Sequence, residues 1–120
     1  MEEITLFDSE LKVMEILWAE GNIRAKEVSI HALKLYEWNK NTTYTVLKKL
    51  IGKKAIRREE PNFMCVALVS KEQVQRGEAK KLVDKLYDGS SKMLLSSFIQ
   101  DEELSKDELK SLRDLINKKL

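Results

Sequence analysis

One cysteine, one proline, one histidine and four glycines occur in 120 residues, and each shortage removes a class of chemistry. A lone Cys65 excludes an internal disulfide and any multi-cysteine metal site. It lies in the apolar run from Phe63 to Val69, where a small buried hydrophobe is expected rather than a reactive thiol. His31 has no cysteine or carboxylate at ligand spacing around it, so a structural or surface role is expected and no metal. So few glycines leave no phosphate-cradling loop, and no serine, histidine and aspartate stand in a nucleophile's context. Asp101-Glu102-Glu103 reads as a solvated connection, not a catalytic carboxylate pair. No run approaches the roughly 18 apolar residues of a membrane span, and Met1-Glu2-Glu3 is not a secretory leader. The expectation is a soluble, cytoplasmic, non-enzymatic chain without cofactor, metal or membrane insertion.

Charge of one sign is also scarce in bulk: the net charge is +2, which by itself suggests no polyanionic partner. Its distribution does. The stretch Lys40 to Arg58, KNTTYTVLKKLIGKKAIRR, carries seven cations (Lys40, Lys48, Lys49, Lys53, Lys54, Arg57, Arg58) and no acid. Its first part is rich in Asn and Thr, short polar groups that reach base edges. Its middle has helical periodicity, and its end is β-branched and Arg-bearing. A recognition helix followed by a wing needs that order of properties.

The rest of the chain supports this placement. Residues 9–20 carry Leu11, Met14, Ile16, Leu17 and Trp18 on one helical stripe, with Asp8 or Ser9 as cap and Gly21-Asn22 as stop. A second helix fits Ala25 to Tyr36, with Val28, Ile30, Ala32, Leu33 and Leu35 apolar. After a connection over residues 38–41, Asn41 or Thr42 caps a third helix that runs to Lys53 and buries Val46, Leu47, Leu50 and Ile51. Ala55 to Glu59 and Phe63 to Val69 then read as two strands of a hairpin, turned at Glu60-Pro61-Asn62. Helix, helix, helix, hairpin is the order of a winged helix-turn-helix.

From Ser70 onward the pattern is helical again. Ser70 with Gln73 and Ser105 with Glu108 are capping boxes, and Asp88-Gly89-Ser90 is a break before a helix from Ser91 to Gln100. The domain division expected is residues 1–70 for a winged-helix domain and residues 71–120 for three tail helices. Three short apolar stripes cannot bury one another well at this size. They either fold back on the first domain or pair with the same helices of a second chain. Pairing is the sharper reading, because a protein with one recognition helix ordinarily needs two half-sites. Leu82, Leu86, Leu94, Leu95, Phe98, Leu109, Leu112 and Ile116 are the residues expected to build that dimer and tail core.

Within the first domain, Asn41, Thr42, Tyr44 and Thr45 lie where bases would be met, at a helix end whose amides and dipole favour phosphate. Capping alone is the plain alternative for Asn41 and Thr42; Lys48 and Lys49 on the next turns favour contact. Lys40, Lys48, Lys49, Arg57 and Arg58 are the expected phosphate contacts, with Lys26 a further one from the second helix. Lys53 and Lys54 read as part of the same basic run.

These residues also carry a resemblance. The first helix follows an E-x-x-V-M-x-x-L-W pattern from Glu10 to Trp18, the third holds T-x-x-T at Thr42 and Thr45, the wing is basic, and Leu86-Tyr87-Asp88-Gly89 precedes the last helices. Together, from about Phe7 to Ile116, they resemble the penicillinase-repressor family, which controls β-lactamase and methicillin-resistance operons. The resemblance implies a mainly α fold with a small β-hairpin: a winged helix-turn-helix domain plus a C-terminal helical dimerisation domain. It implies a homodimeric transcriptional repressor of antibiotic-resistance type, bound to a palindromic double-stranded operator. It further implies inactivation by a membrane-bound sensor-protease, with the scissile bond mapping onto Ser97–Phe98, where the family usually has Asn before the Phe. Copper-responsive relatives carry a C-terminal cysteine cluster, a pattern this chain lacks. Two other classes stay open on the residues alone: a winged-helix protein-interaction module, and a dimeric regulator answering to a small apolar effector.

Overall fold

A computed structural model describes residues 4–120. In chain order its elements are α1 (Asp8–Glu20), β1 (Ile23–Arg24), α2 (Ala25–Tyr36), α3 (Lys40–Gly52), β2 (Ile56–Glu59), β3 (Met64–Ala67), α4 (Lys71–Leu86), α5 (Ser91–Gln100) and α6 (Lys106–Lys119). Two compact units are formed, Met1–Glu78 and Ala79–Leu120, and α4 runs through the division.

In the first unit α1, α2 and α3 each contribute an apolar stripe to one core. Val13, Met14, Ile16 and Leu17 come from α1, Ala25, Val28 and Ala32 from α2, and Val46, Leu47 and Leu50 from α3. Ala55, Ile56 and Cys65 close it from the sheet side. Each larger aliphatic chain fully withdrawn from water contributes roughly 1.5–3 kcal/mol. The stripe of α1 is rotated from the expected one: Leu11 is exposed, and Glu10 and Val13 lie inside instead. Trp18 is half-buried, and its Nε1 donates to the Val69 carbonyl at 3.0 Å. On α2 only one side is needed by the core, so Ile30, Leu33 and Leu35 are exposed although apolar.

The expected two-stranded hairpin is a three-stranded antiparallel sheet of order β1-β3-β2. The added strand β1 has two residues, too few to show alternation in the sequence. It exists because the free edge of β3 takes up Ile23 opposite Cys65 and Arg24 opposite Met64. On the other side β2 pairs Ile56 with Ala67 and Arg58 with Cys65. Gly21 ends α1 at φ 84, a backbone setting that side chains rarely adopt, and its amide donates to the Leu17 carbonyl at 2.8 Å.

Two helix starts differ from expectation. Phe7, not Asp8 or Ser9, is the N-cap of α1, and Glu10 reaches back to accept from its amide at 2.8 Å. Asn39, not Asn41 or Thr42, is the N-cap of α3; its Oδ1 accepts from the Thr42 amide at 2.8 Å. The connection after α2 is therefore shorter than expected, only Glu37 to Asn39, and Glu37 turns it with φ 58.

The expected capping box before α4 is formed: the Ser70 amide donates to Gln73 Oε1 at 2.7 Å, and the Gln73 amide to Ser70 Oγ at 3.1 Å. The same reciprocal pair joins Ser105 and Glu108 ahead of α6, and Ser90 Oγ caps α5 by accepting from Met93. In the second unit Val83 is the one buried apolar side chain among the described residues.

Cys65 is completely buried, and burial pushes its thiol up to about 11 despite the lowering influence of Arg58. Against the ordinary value of 9.0 that suppresses the thiolate by about a hundredfold near neutrality. Alkylation of Cys65 by iodoacetamide at pH 8, followed by mass spectrometry, is expected to be at least that much slower in the folded chain than in urea. The thiol form is the one the fold stabilises, so protection is lost as pH rises through about 11.

Candidate nucleic-acid interface

Helix α3 has two faces with opposite fates. Thr43, Val46, Leu47 and Leu50 are buried, while Asn41, Thr42, Thr45, Lys48 and Lys49 are exposed. The 3.6-residue period forces this division, since positions three and four apart share a side. Because Asn39 does the capping, the side chains of Asn41 and Thr42 are released from that duty. Thr45 Oγ1 donates to the Asn41 carbonyl one turn back at 2.9 Å, and the residue is exposed. The first turn of α3 contains no acid, so the positive end of the helix dipole is uncompensated there.

Tyr44 stands at the boundary between the faces. It is half-buried, and its ring meets Phe63 edge-on with centroids 5.8 Å apart. Lys40 Nζ lies 5.6 Å from the Tyr44 centroid, and the Arg58 guanidinium lies 4.0 Å from that of Phe63. Lys40, Tyr44, Phe63 and Arg58 thus form a continuous file from the start of α3 to the hairpin turn, held by cation–ring and ring–ring contacts. The sequence pattern places Phe63 at the start of a strand; at φ 50 it belongs to the turn, and its carbonyl accepts from the Ala25 amide at 2.9 Å.

The basic run is not uniform. Lys48 and Lys49 make no ion pair among the described residues, and Lys26 projects from the first turn of α2 likewise. Arg57 and Arg58 are exposed, yet each has a carboxylate two residues on: Arg57 with Glu59 at 2.6 Å and Arg58 with Glu60 at 2.5 Å. Lys53 departs from the basic run in which its sequence position places it. It points inward, where Nζ donates to Glu10 Oε1 at 2.6 Å and to the Thr5 carbonyl at 2.8 Å, and lies 4.3 Å from the Phe7 ring centroid. Glu10 has no exposure, and its Oε2 has no hydrogen-bond partner among the described residues. A buried carboxylate with one lysine and one amide is held only while both stay. This clamp ties the end of α3 to the start of α1, and nothing in the spacing of Glu10 and Lys53 announced it.

Three helices and a three-stranded sheet whose hairpin stands beside an exposed polar helix face define a winged helix-turn-helix unit. Solved structures agree: a DNA-binding domain of the repressor BlaI superposes with TM-score 0.55 at 28% identity, covering 61% of this chain and 93% of that one. The monomeric form of Bacillus licheniformis BlaI in complex with the blaP half-operator gives 0.52 at 29% identity, with 61% and 93% covered. The chain belongs to the penicillinase repressor family, whose model matches residues 6–118. It is 28% identical over 118 residues to the Staphylococcus aureus penicillinase repressor (97% of this chain, 94% of that one). It is 29% identical over 113 residues to the methicillin resistance regulatory protein MecI of Mammaliicoccus sciuri, with 92% of each chain covered.

The clamp and the open lysines differ in a measurable way. Lys53→Met is expected to lower the unfolding free energy by about 2 kcal/mol in a denaturant titration, because it strands a buried carboxylate. Lys48→Met, which removes no ion pair, is expected to change it by less than about 0.5 kcal/mol.

Proposed function

We propose that the chain is a transcriptional repressor that binds a palindromic operator of a β-lactam-resistance-type operon as a homodimer. The observation that carries this reading is the exposed face of α3. Short polar side chains and lysines with no ion pair among the described residues lie together on one helix face, with the arginine-bearing hairpin alongside and a family of repressors behind it. In this reading Thr42, Tyr44 and Thr45 read base edges, and Asn41 flanks them. Lys40, Lys48, Lys49, Arg57, Arg58 and Lys26 hold phosphates. Tyr44 contributes through the part of its ring that Phe63 leaves open. The contact with a phosphate fixes register, while the hydroxyls and methyls discriminate sequence.

Two copies are required for a palindrome. The solved relative whose monomeric form sits on a half-operator is consistent with one winged helix per half-site. In the second unit Leu82, Leu86, Leu95, Phe98, Leu109 and Ile116 are exposed in the single chain, and Leu94 and Leu112 are half-buried. So much aliphatic and aromatic surface on a unit with a single buried apolar residue calls for a covering partner, and a second copy supplies one. Two linked half-site contacts then bind far more tightly than one.

Inactivation by proteolysis follows the same logic. The Ser97–Phe98 bond lies within α5, where Ser97 Oγ donates to the Leu94 carbonyl at 2.7 Å and Phe98 is exposed. A cut there divides the apolar surface of α5 between two fragments, so bivalent binding would fail without any change in α3. A sensor-protease in the membrane is the partner that the family relationship suggests for this step. No helix among the described residues is long and apolar enough to cross a membrane.

Fluorescence anisotropy on a palindromic promoter duplex and a scrambled duplex tests the reading. Thr45→Ala is expected to weaken operator binding by roughly 1 kcal/mol or more while leaving scrambled DNA nearly unaffected; equal losses reject base readout. Lys49→Ala is expected to weaken both and to flatten the salt slope by about one unit, and an unchanged slope removes this lysine from the phosphate contacts. Leu95→Asp, examined by sedimentation equilibrium, is expected to turn a dimer into a monomer that retains half-site binding. A variant that remains dimeric removes Leu95 from the interface.

A further inference from the structure

We infer that Glu59 and Glu60 set the discrimination between operator and random DNA, by holding the two wing arginines away from phosphates until the recognition helix has docked. This rests on the reading above that the hairpin meets the DNA backbone.

The local chemistry is specific. Arg57 directs both Nε and Nη2 at one oxygen of Glu59, at 3.0 and 2.6 Å. Arg58 donates Nε to Glu60 at 2.5 Å while its guanidinium plane rests over Phe63. Successive strand residues alternate between faces, so Arg57 and Glu59 share one side of β2 and Arg58 shares the other with Ile56. Each arginine therefore has its own carboxylate, and neither carboxylate can serve both. Partners two residues apart need no other element to bring them together, so these pairs form wherever the hairpin forms.

The consequence is electrostatic. The four consecutive residues Arg57, Arg58, Glu59 and Glu60 sum to no net charge, so the wing offers little general attraction to a polyanion. All four side chains are about half-exposed, and exposed ion pairs are marginal. A phosphate held close and in register can take the guanidinium from its carboxylate. A random duplex, not fixed by α3, repays that exchange poorly. Glu59 and Glu60 are thus specificity-determining residues that act through Arg57 and Arg58 and need not touch DNA.

The test uses the full-length chain, the palindromic and scrambled duplexes, and a salt series. Glu59→Gln with Glu60→Gln preserves size and hydrogen bonding but removes both charges. The double variant is expected to bind scrambled DNA roughly three- to tenfold tighter, with a smaller gain on the palindrome and a salt slope steeper by up to about two units. In an Arg57→Ala, Arg58→Ala background the same two substitutions should produce no gain. Unchanged or weaker binding to scrambled DNA overturns the inference. So does an equal gain with and without the arginines, which would mean plain repulsion between carboxylates and phosphates. Failure of the wild-type chain to prefer the palindrome would instead strike the functional reading on which the inference stands.

Discussion

The one-sided burial of α3 is the constraint on which the site depends. Thr43, Val46, Leu47 and Leu50 are held against α1 and α2, and the helix period then leaves Asn41, Thr42, Thr45, Lys48 and Lys49 nowhere to point but outward. Rotating the helix by one residue would bury lysines and expose leucines, at a cost of several kcal/mol from the apolar side alone. Packing thus orients the polar, lysine-bearing face of α3 without any contact to that face itself. Asn39 at one end and the Glu10–Lys53 clamp at the other fix where the helix starts and how its last turn sits on α1.

Seen this way, the basic stretch performs three different tasks. Lys53 is internal structure, tied to a carboxylate that has no exposure. Arg57 and Arg58 are surface charges already answered by their neighbours. Lys48 and Lys49, on the outer face of α3, form no ion pair among the described residues. A chain of nearly zero net charge can in this manner present a concentrated field over one helix face, which favours a duplex while limiting adhesion elsewhere. The file Lys40, Tyr44, Phe63 and Arg58 couples helix and hairpin, so the two parts of the surface are placed relative to each other by ring contacts rather than by a flexible loop.

Much of this architecture is legible in the residue order. The limits of α2 and α5 coincide with those read from periodicity and turn residues, and the boxes at Ser70 and Ser105 are formed by the expected groups. Those signals are local: a cap, a stop and an apolar period act within a few residues of one another. What escaped reading was non-local or too short. β1 spans two residues and owes its existence to the edge of β3; Glu10 is an acid inside the core because Lys53 reaches it from 43 positions away. Leu11, Ile30, Leu33 and Leu35 are apolar yet exposed, since a helix shares only part of its circumference with its neighbours.

Local order in the chain by itself determined the succession of helices and strands, the concentration of cations between Lys40 and Arg58, and the presence of short polar groups at a helix start. Each is a matter of composition and of interactions spanning a turn or less. Only the tertiary structure decided that Lys53 turns inward to a carboxylate on α1 and that Ile23 and Arg24 join the sheet as β1. Those outcomes depend on what lies opposite each side chain after folding, and spacing along a chain carries no information about that.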